Sequence, residues 1–182
     1  MRKEVRPNAN SLIMSMRSLG YSFNNAIADI IDNSISAKAT KIEIICNWDN
    51  QEPFVEIKDN GIGMTSEELE EAMRLGSKSP LHEREKEDLG RFGLGLKTAS
   101  FSQSKKLIVK TKQDEKTFQA IWDLDLVERE NKWFLDIEKL ECKDALETNG
   151  TTIRWEKIDT LEKKDKKNSQ EYFESVTDQL IK

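Results

Sequence analysis

The chain has 182 residues, of which 36% are hydrophobic and 35% charged, and a formal net charge of −5. That length suits one domain with a buried core, and charges mixed along the chain argue for a folded protein rather than a disordered one. The acidic balance does not suggest a nucleic-acid-coating surface, Cys46 and Cys142 have neither metal-ligand spacing nor disulfide-scaffold density, and no apolar run is long enough to span a bilayer.

Residues 9–19 predict a short amphipathic helix stopped by Gly20, and residues 23–37 a second, stronger one. The first apolar cluster, Leu12 to Met16, is short and broken by Ser15, so no signal peptide is read there and a cytoplasmic location is expected. Residues 41–46 and 54–58 are strand-like, with Cys46 read as a buried thiol, and residues 59–64 form a turn between them and the next helix. Ser66 is the expected cap of a helix to about Leu75, with Glu67, Glu68 and Glu70 near its positive end. Residues 76–90 are polar, charged and contain Pro80, which predicts a mobile loop. A helix begins at 93–100; strands are expected at 105–111, 116–122, 133–137 and 151–155. Residues 163–167 read as a lysine-rich linker and 169–181 as a final helix. Consecutive strands late in an otherwise mixed order favour an α+β two-layer sandwich over a doubly wound parallel sheet. Trp48, Trp122, Trp133 and Trp155 are read as core or strand-edge aromatics.

The second helix has two faces. At about 100° per residue, Phe23, Ala26, Ile27, Ile30, Ile31, Ser34 and Ile35 fall on one side, where they would pack on a sheet. Asp29, Asp32, Asn33 and Ser36 fall on the other, with Asp29 and Asn33 side by side at i and i+4. A solvated face would more usually use Glu, Lys and Arg. Short Asp, Asn and Ser are poor helix formers, so the stripe hints at a ligand.

Two glycine clusters add chemistry. In Asp59-Asn60-Gly61-Ile62-Gly63-Met64 the glycines permit positive φ and close approach of a flat ligand. A carboxylate there is acceptor-only and suits an exocyclic amine such as that of adenine. The run from Gly90 through Phe92, Gly93, Leu94, Gly95 and Lys97 would expose backbone N–H groups at a helix start, where the dipole favours an anion. It is not a P-loop, since Leu96 separates glycine from Lys97-Thr98. Nor does its glycine spacing match the dinucleotide fingerprint.

Taken in order, the Asp/Asn helix, Asp-Asn-Gly-x-Gly-Met, the long loop and Gly-x-Phe-Gly-x-Gly-x-Lys resemble the GHKL ATPase superfamily over roughly residues 10 to 156. That group includes gyrase-type topoisomerase subunits, the ninety-kilodalton heat-shock chaperones, histidine kinases, MutL and MORC proteins. Gly150-Thr151-Thr152-Ile153 resembles its fourth element, in which the threonine hydroxyl helps to hold adenine.

The resemblance implies helices on one face of a mixed, largely antiparallel sheet, ATP and Mg2+ as ligands, and an ATP-binding domain over residues 1–160. Asn33 would ligate magnesium through its carboxamide oxygen, Asp59 would anchor adenine, and Gly61, Gly63, Met64 and Thr151 would line the base. Gly90, Phe92, Gly93, Leu94 and Gly95 would cradle the phosphates, with residues 76–92 as the ATP lid and Lys97 supplying a point charge. Asp29 occupies the general-base position, where the gyrase, MutL and MORC branches carry glutamate. One methylene fewer makes its placement critical, because about 1 Å of misplacement costs on the order of a hundredfold in rate.

The leading expectation is an ATPase whose cycle closes a homodimer and drives a larger protein, in the manner of MORC proteins or the chaperones. Residues 1–20 would then be an arm crossing to the partner, and residues 161–182 a linker and helix leading to a further domain. The alternatives are a nucleotide-sensing module with little turnover, and a histidine-kinase-type catalytic domain. The last is disfavoured because His82, the single histidine, lies in the charged lid segment and no phosphoacceptor helix precedes the domain. The client, whether DNA, protein or signalling partner, is not written in these residues.

Overall fold

The computed structural model describes residues 2–3, 7–19, 21–49, 52–76, 95–141 and 143–159. Helix α1 (Ala9–Arg17) starts at Asn8, whose side chain accepts from the Ser11 amide, and ends at Ser18, before Gly20. Helix α2 (Phe23–Ser36) is capped the same way by Ser22, which accepts from the Asn25 amide. The strands β1 (Ile42–Asp49) and β2 (Glu52–Asp59) pair antiparallel over their whole length. Helix α3 (Ser66–Met73) is capped by Thr65 rather than Ser66. Thr65 and Glu68 satisfy each other's backbone N–H groups in a capping box.

After α4 (Gly95–Gln103) come β3 (Lys106–Gln113) and β4 (Lys116–Asp123). A short helix α5 (Leu124–Glu130) then interrupts the expected run of strands. It is capped by Asp123, which accepts from the Asp125 amide, and it closes on Asn131 in the left-handed region at φ 48°. The next strand, β5, is Asp136–Leu140 and not 133–137, because Trp133 and Leu135 pack against the core instead of pairing with β4. The last described strand is β6 (Gly150–Glu156).

The six strands lie in the order β1-β2-β6-β3-β4-β5, and every neighbouring pair is antiparallel, so the described sheet carries no parallel pairing. Strand β6, latest in sequence, is inserted between β2 and β3. This placement sets Thr151 opposite Asp59.

The core is the layer between one sheet face and the helices. Val55, Ile57, Leu107, Val109 and Trp155 meet Ala26, Ile27, Ile30, Leu69, Met73, Ala99 and Phe101 there. Edge-to-face pairs run Phe101–Trp122–Trp133 at 6.2 Å between centroids. Trp48 is partly buried against the same cluster. Ile35, expected on the buried half of α2, is 53% exposed at the border of that face.

Helix α1 packs on its own chain, with Ala9 and Ile13 buried. Arg17 donates to the carbonyls of Phe101 and Ser104 at 2.7 and 2.8 Å and pairs with Asp159, which ties α1 to the end of α4. An arm reaching across to a second subunit would have to begin before this helix or undo it. Among the described residues no helix is long and apolar enough to cross a membrane. The expected linker and final helix at 161–182, and His82, lie outside the described residues.

Candidate functional site

The site is organised along α2. Its apolar face is held by the sheet, so its other positions are fixed in space. Ser34 is the exception on the buried side: it is 2% exposed and its hydroxyl donates to Asp59 Oδ2 at 2.9 Å. Asp59 Oδ1 accepts from the amides of Gly61 and Thr151, at 2.9 and 3.1 Å. The carboxylate at the end of β2 is thus locked by three donors from three different segments. Two of its four acceptor sites, those on Oδ1, are filled; on Oδ2 one remains beside the Ser34 bond.

Behind Asp59 runs a hydroxyl network. Thr111 Oγ1 accepts from the Met64 amide at 2.9 Å, and lies 3.2 Å from both Thr151 Oγ1 and the Gly150 carbonyl oxygen. Gly63 takes φ +72°, and a Cβ there would lie 1.9 Å from the Lys112 carbonyl oxygen. The close approach that selects glycine at this position is therefore to the chain's own β3 backbone. The turn 60–64 is pinned to β3 by these contacts and to α2 by the Ile62 amide, which donates to the Ala37 carbonyl at 3.0 Å.

Five residues before Ser34, and so about 7.5 Å along the helix axis, stands Asp29. Its Oδ2 accepts from the Tyr21 hydroxyl at 2.8 Å. Gly95, the first residue of α4, is the other neighbour: a Cβ built on it would sit 3.9 Å from the same oxygen. The phenol of Tyr21 is held above its ordinary range, first by this hydrogen bond and then by burial and the charge of Asp29. Asn33 lies between Asp29 and Ser34 on α2, half-buried, and its carboxamide makes no hydrogen bond among the described residues.

The structure thus brings Asp29, Asn33, Asp59, Gly95 and Thr151 around one helix, together with Gly61, Gly63 and Met64 in the turn. Gly90, Phe92, Gly93 and Leu94 lie outside the described residues, as does most of the expected lid. Lys97 is placed differently from the phosphate-facing cation expected of it. Its side chain is 1% exposed, and its ammonium donates to the carbonyls of Ala72 and Arg74 at 2.7 and 2.9 Å. It caps the negative end of α3, as a lysine near a helix C-terminus does.

Sequence reasoning did not single out Tyr21, Ser34 or Thr111 as site residues. Ser34 carried a signal, since a hydroxyl among the isoleucines of a buried face must find a partner. Tyr21 and Thr111 carried none, because their partners are set by tertiary packing. Cys46 is half-buried, and burial pushes its thiol up to about 11, which disfavours the thiolate. A separate, mostly apolar cavity of about 400 Å3, between Leu12, Leu75, Trp122, Trp133 and Leu135, shares no lining residue with the Asp29–Asp59 group.

A magnesium ion held chiefly by phosphate oxygens needs few protein donors, and one hard oxygen can suffice. Asn33 offers such an oxygen in the right company, beside Asp29 and between the two ends of the site. Among the described residues no three His, Cys, Asp or Glu side chains gather into a metal cage. The donor set fits an ion that arrives with a nucleotide.

Residues 21–165 match the histidine kinase-, DNA gyrase B- and HSP90-like ATPase family. Similar proteins include the ATPase morc-1 of Caenorhabditis elegans, 34% identical over 90 residues, which is 50% of this chain and 10% of that protein. The DNA mismatch repair protein MutL of Rickettsia prowazekii is 32% identical over 98 residues, 52% of this chain and 16% of the relative. The ATPase MORC2B of Mus musculus is 36% identical over 92 residues, 49% of this chain and 9% of its own length. The matched stretch is therefore a small part of each of these relatives, less than a fifth of their length. With the family match running from Tyr21 beyond β6, the chain belongs to the histidine kinase-, DNA gyrase B- and HSP90-like ATPases.

Proposed function

We propose that this domain binds ATP with magnesium and hydrolyses it, using Asp59 to read adenine and Asp29 as general base. The observation that carries this is the arrangement along α2: Asp29, bonded to Tyr21, and five residues on Ser34, which holds the Asp59 carboxylate of β2, with Asn33 between them. On Asp59, Oδ1 is saturated and Oδ2 keeps an acceptor site, which suits one N–H of the exocyclic amine. Thr151 would add its hydroxyl from β6. The amide end of α4, beginning at Gly95, would face the phosphates.

Asn33 would hold the magnesium ion. When bound, that ion would neutralise phosphate charge and help to orient the transferred group. At the other end, water attacks the γ-phosphorus, its proton passes to Asp29, and ADP leaves. Asp29 Oδ1 makes no hydrogen bond among the described residues, so it is the oxygen that accepts this proton. Phosphoryl transfer relies chiefly on positioning and charge, so binding and turnover can be separated.

Family membership, the Asp29 position and the relatives named ATPases support this reading. Dimer closure and the driving of further domains would belong to a larger protein of which this domain is a part. Nucleotide sensing with little turnover is the second reading, favoured by the short reach of Asp29. Measuring magnesium-dependent phosphate release beside nucleotide titration decides between them. For the ATPase, Asp29→Asn should abolish release, by about a hundredfold or more, and leave affinity within a few-fold. Wild-type release from that variant would move the base elsewhere, to Asp32 first. Binding without release in the wild type would select the sensor.

A further inference from the structure

We propose that Tyr21 is the positioning residue for Asp29, fixing which carboxylate oxygen faces the attacking water. The inference rests on the base role given to Asp29 above.

An aspartate χ2 is a broad, roughly two-fold torsion, so an unbonded carboxylate on an exposed helix face presents either oxygen over a wide range of angles. A short side chain cannot tolerate that spread, because its reach is already one methylene less than that of glutamate. Tyr21 removes the freedom. Its hydroxyl donates to Asp29 Oδ2 at 2.8 Å, a charge-assisted bond of the stronger kind.

Tyr21 is itself anchored at its other end. Its backbone carbonyl accepts from Gln103 Nε2 at 3.0 Å, at the last residue of α4. The phenol therefore reaches back from the end of α4 towards its beginning, where Gly95 closes on the same Asp29 oxygen. Oδ2 is taken by the Tyr21 hydroxyl, and Oδ1 is the oxygen left to the reaction. Because the phenol is held above its ordinary range, it stays protonated and keeps donating at neutral and moderately alkaline pH.

This geometry links the two ends of α4 to the carboxylate. Tyr21 does not touch the nucleotide in this scheme, so its loss affects the chemical step and not affinity.

Steady-state phosphate release and nucleotide titration on this chain, for wild type, Tyr21→Phe and Asp29→Asn, test the inference. Tyr21→Phe keeps the ring and its packing. It should lower kcat by about tenfold to a hundredfold, with KM and nucleotide affinity within about twofold. A wild-type kcat in Tyr21→Phe, with Asp29→Asn inactive, overturns the positioning role and leaves the base role standing. Wild-type turnover in Asp29→Asn overturns both.

A spectroscopic readout tests the bond without turnover. The chain has two tyrosines, so Tyr172→Phe leaves Tyr21 as the single phenol. Adding Asp29→Asn to that background should move the phenol titration to lower pH, since both the charge and the ionised acceptor are lost. An unmoved titration overturns the inference, even should Tyr21→Phe fail to fold.

Discussion

At Gly150 the backbone turns into β6 with φ +142°, and a Cβ there would lie 2.0 Å from the Asp59 carbonyl oxygen. The two strands that carry Asp59 and Thr151 approach as closely as glycine allows, and this lets the Thr151 amide reach Asp59 Oδ1. Gly150→Ala should therefore cost about 2 kcal/mol or more in stability and weaken nucleotide binding as well, measured by urea denaturation and calorimetry. A variant as stable and as tight as wild type would show that this close approach is not needed. Lys97 teaches a different lesson at this scale. A lysine after a glycine cluster reads as a phosphate ligand, yet its ammonium donates to two carbonyls at the end of α3. The residue types alone do not say which of two anionic partners, a phosphate or a helix C-terminus, is nearer. Asp59, Asn33 and Asp29 stand out as candidates in the sequence because short polar residues at costly helix and turn positions have few structural excuses. Tyr21 does not, since only the fold brings it to Asp29.

At the scale of elements, α2, the β1–β2 hairpin and β6 follow from their periodicity, and their bounds shift by a few residues at most. Helix α5 and the displaced β5 do not. Leu124 and Val127, the buried pair of α5, sit at helical i, i+3 spacing, but seven residues are a short signal, and the deciding events are the Asp123 cap and the left-handed Asn131. Trp133 and Leu135 look like strand residues but are claimed by the core. The outward face of the sheet carries its own organisation: Arg154 lies 3.8 Å over the Phe54 ring and pairs with Glu56 and Glu156, and Lys106 pairs with Glu156. Burial alone would raise the Glu156 carboxyl, but the hydrogen bonds and charges of Lys106 and Arg154 outweigh it and hold the group below the ordinary carboxylate range. A folded value below the unfolded one stabilises the fold above about pH 4.3 and loses that contribution as pH falls through the folded value. Urea midpoints of the wild type should thus fall more steeply between about pH 5 and pH 3 than those of Glu156→Gln. Parallel curves would show the ladder to be energetically idle.

For the whole molecule, strand order is what converts scattered motifs into one site. Inserting β6 between β2 and β3 sets residues 59 and 151 in register, 92 positions apart in the chain. Helix α2 then spaces the Asp59 end from the Asp29 end, and α4 begins beside the latter. That order was not readable from local patterns; the sandwich class was, from consecutive late strands, and the family from the succession of its motifs. Arg17 ties α1 to the end of its own α4 through the carbonyls of Phe101 and Ser104.

The central claim is that Asp59 reads a purine whose phosphates lie towards Asn33 and Asp29. Calorimetric titration of ATP into wild type and Asp59→Asn, each with magnesium and with a chelator, tests it most directly. Magnesium should enhance binding to the wild type, and Asp59→Asn should lose affinity by at least about tenfold to a hundredfold, because the amide would turn a donor towards the adenine amine. Equal affinities in the two proteins, or no binding to the wild type, would contradict it.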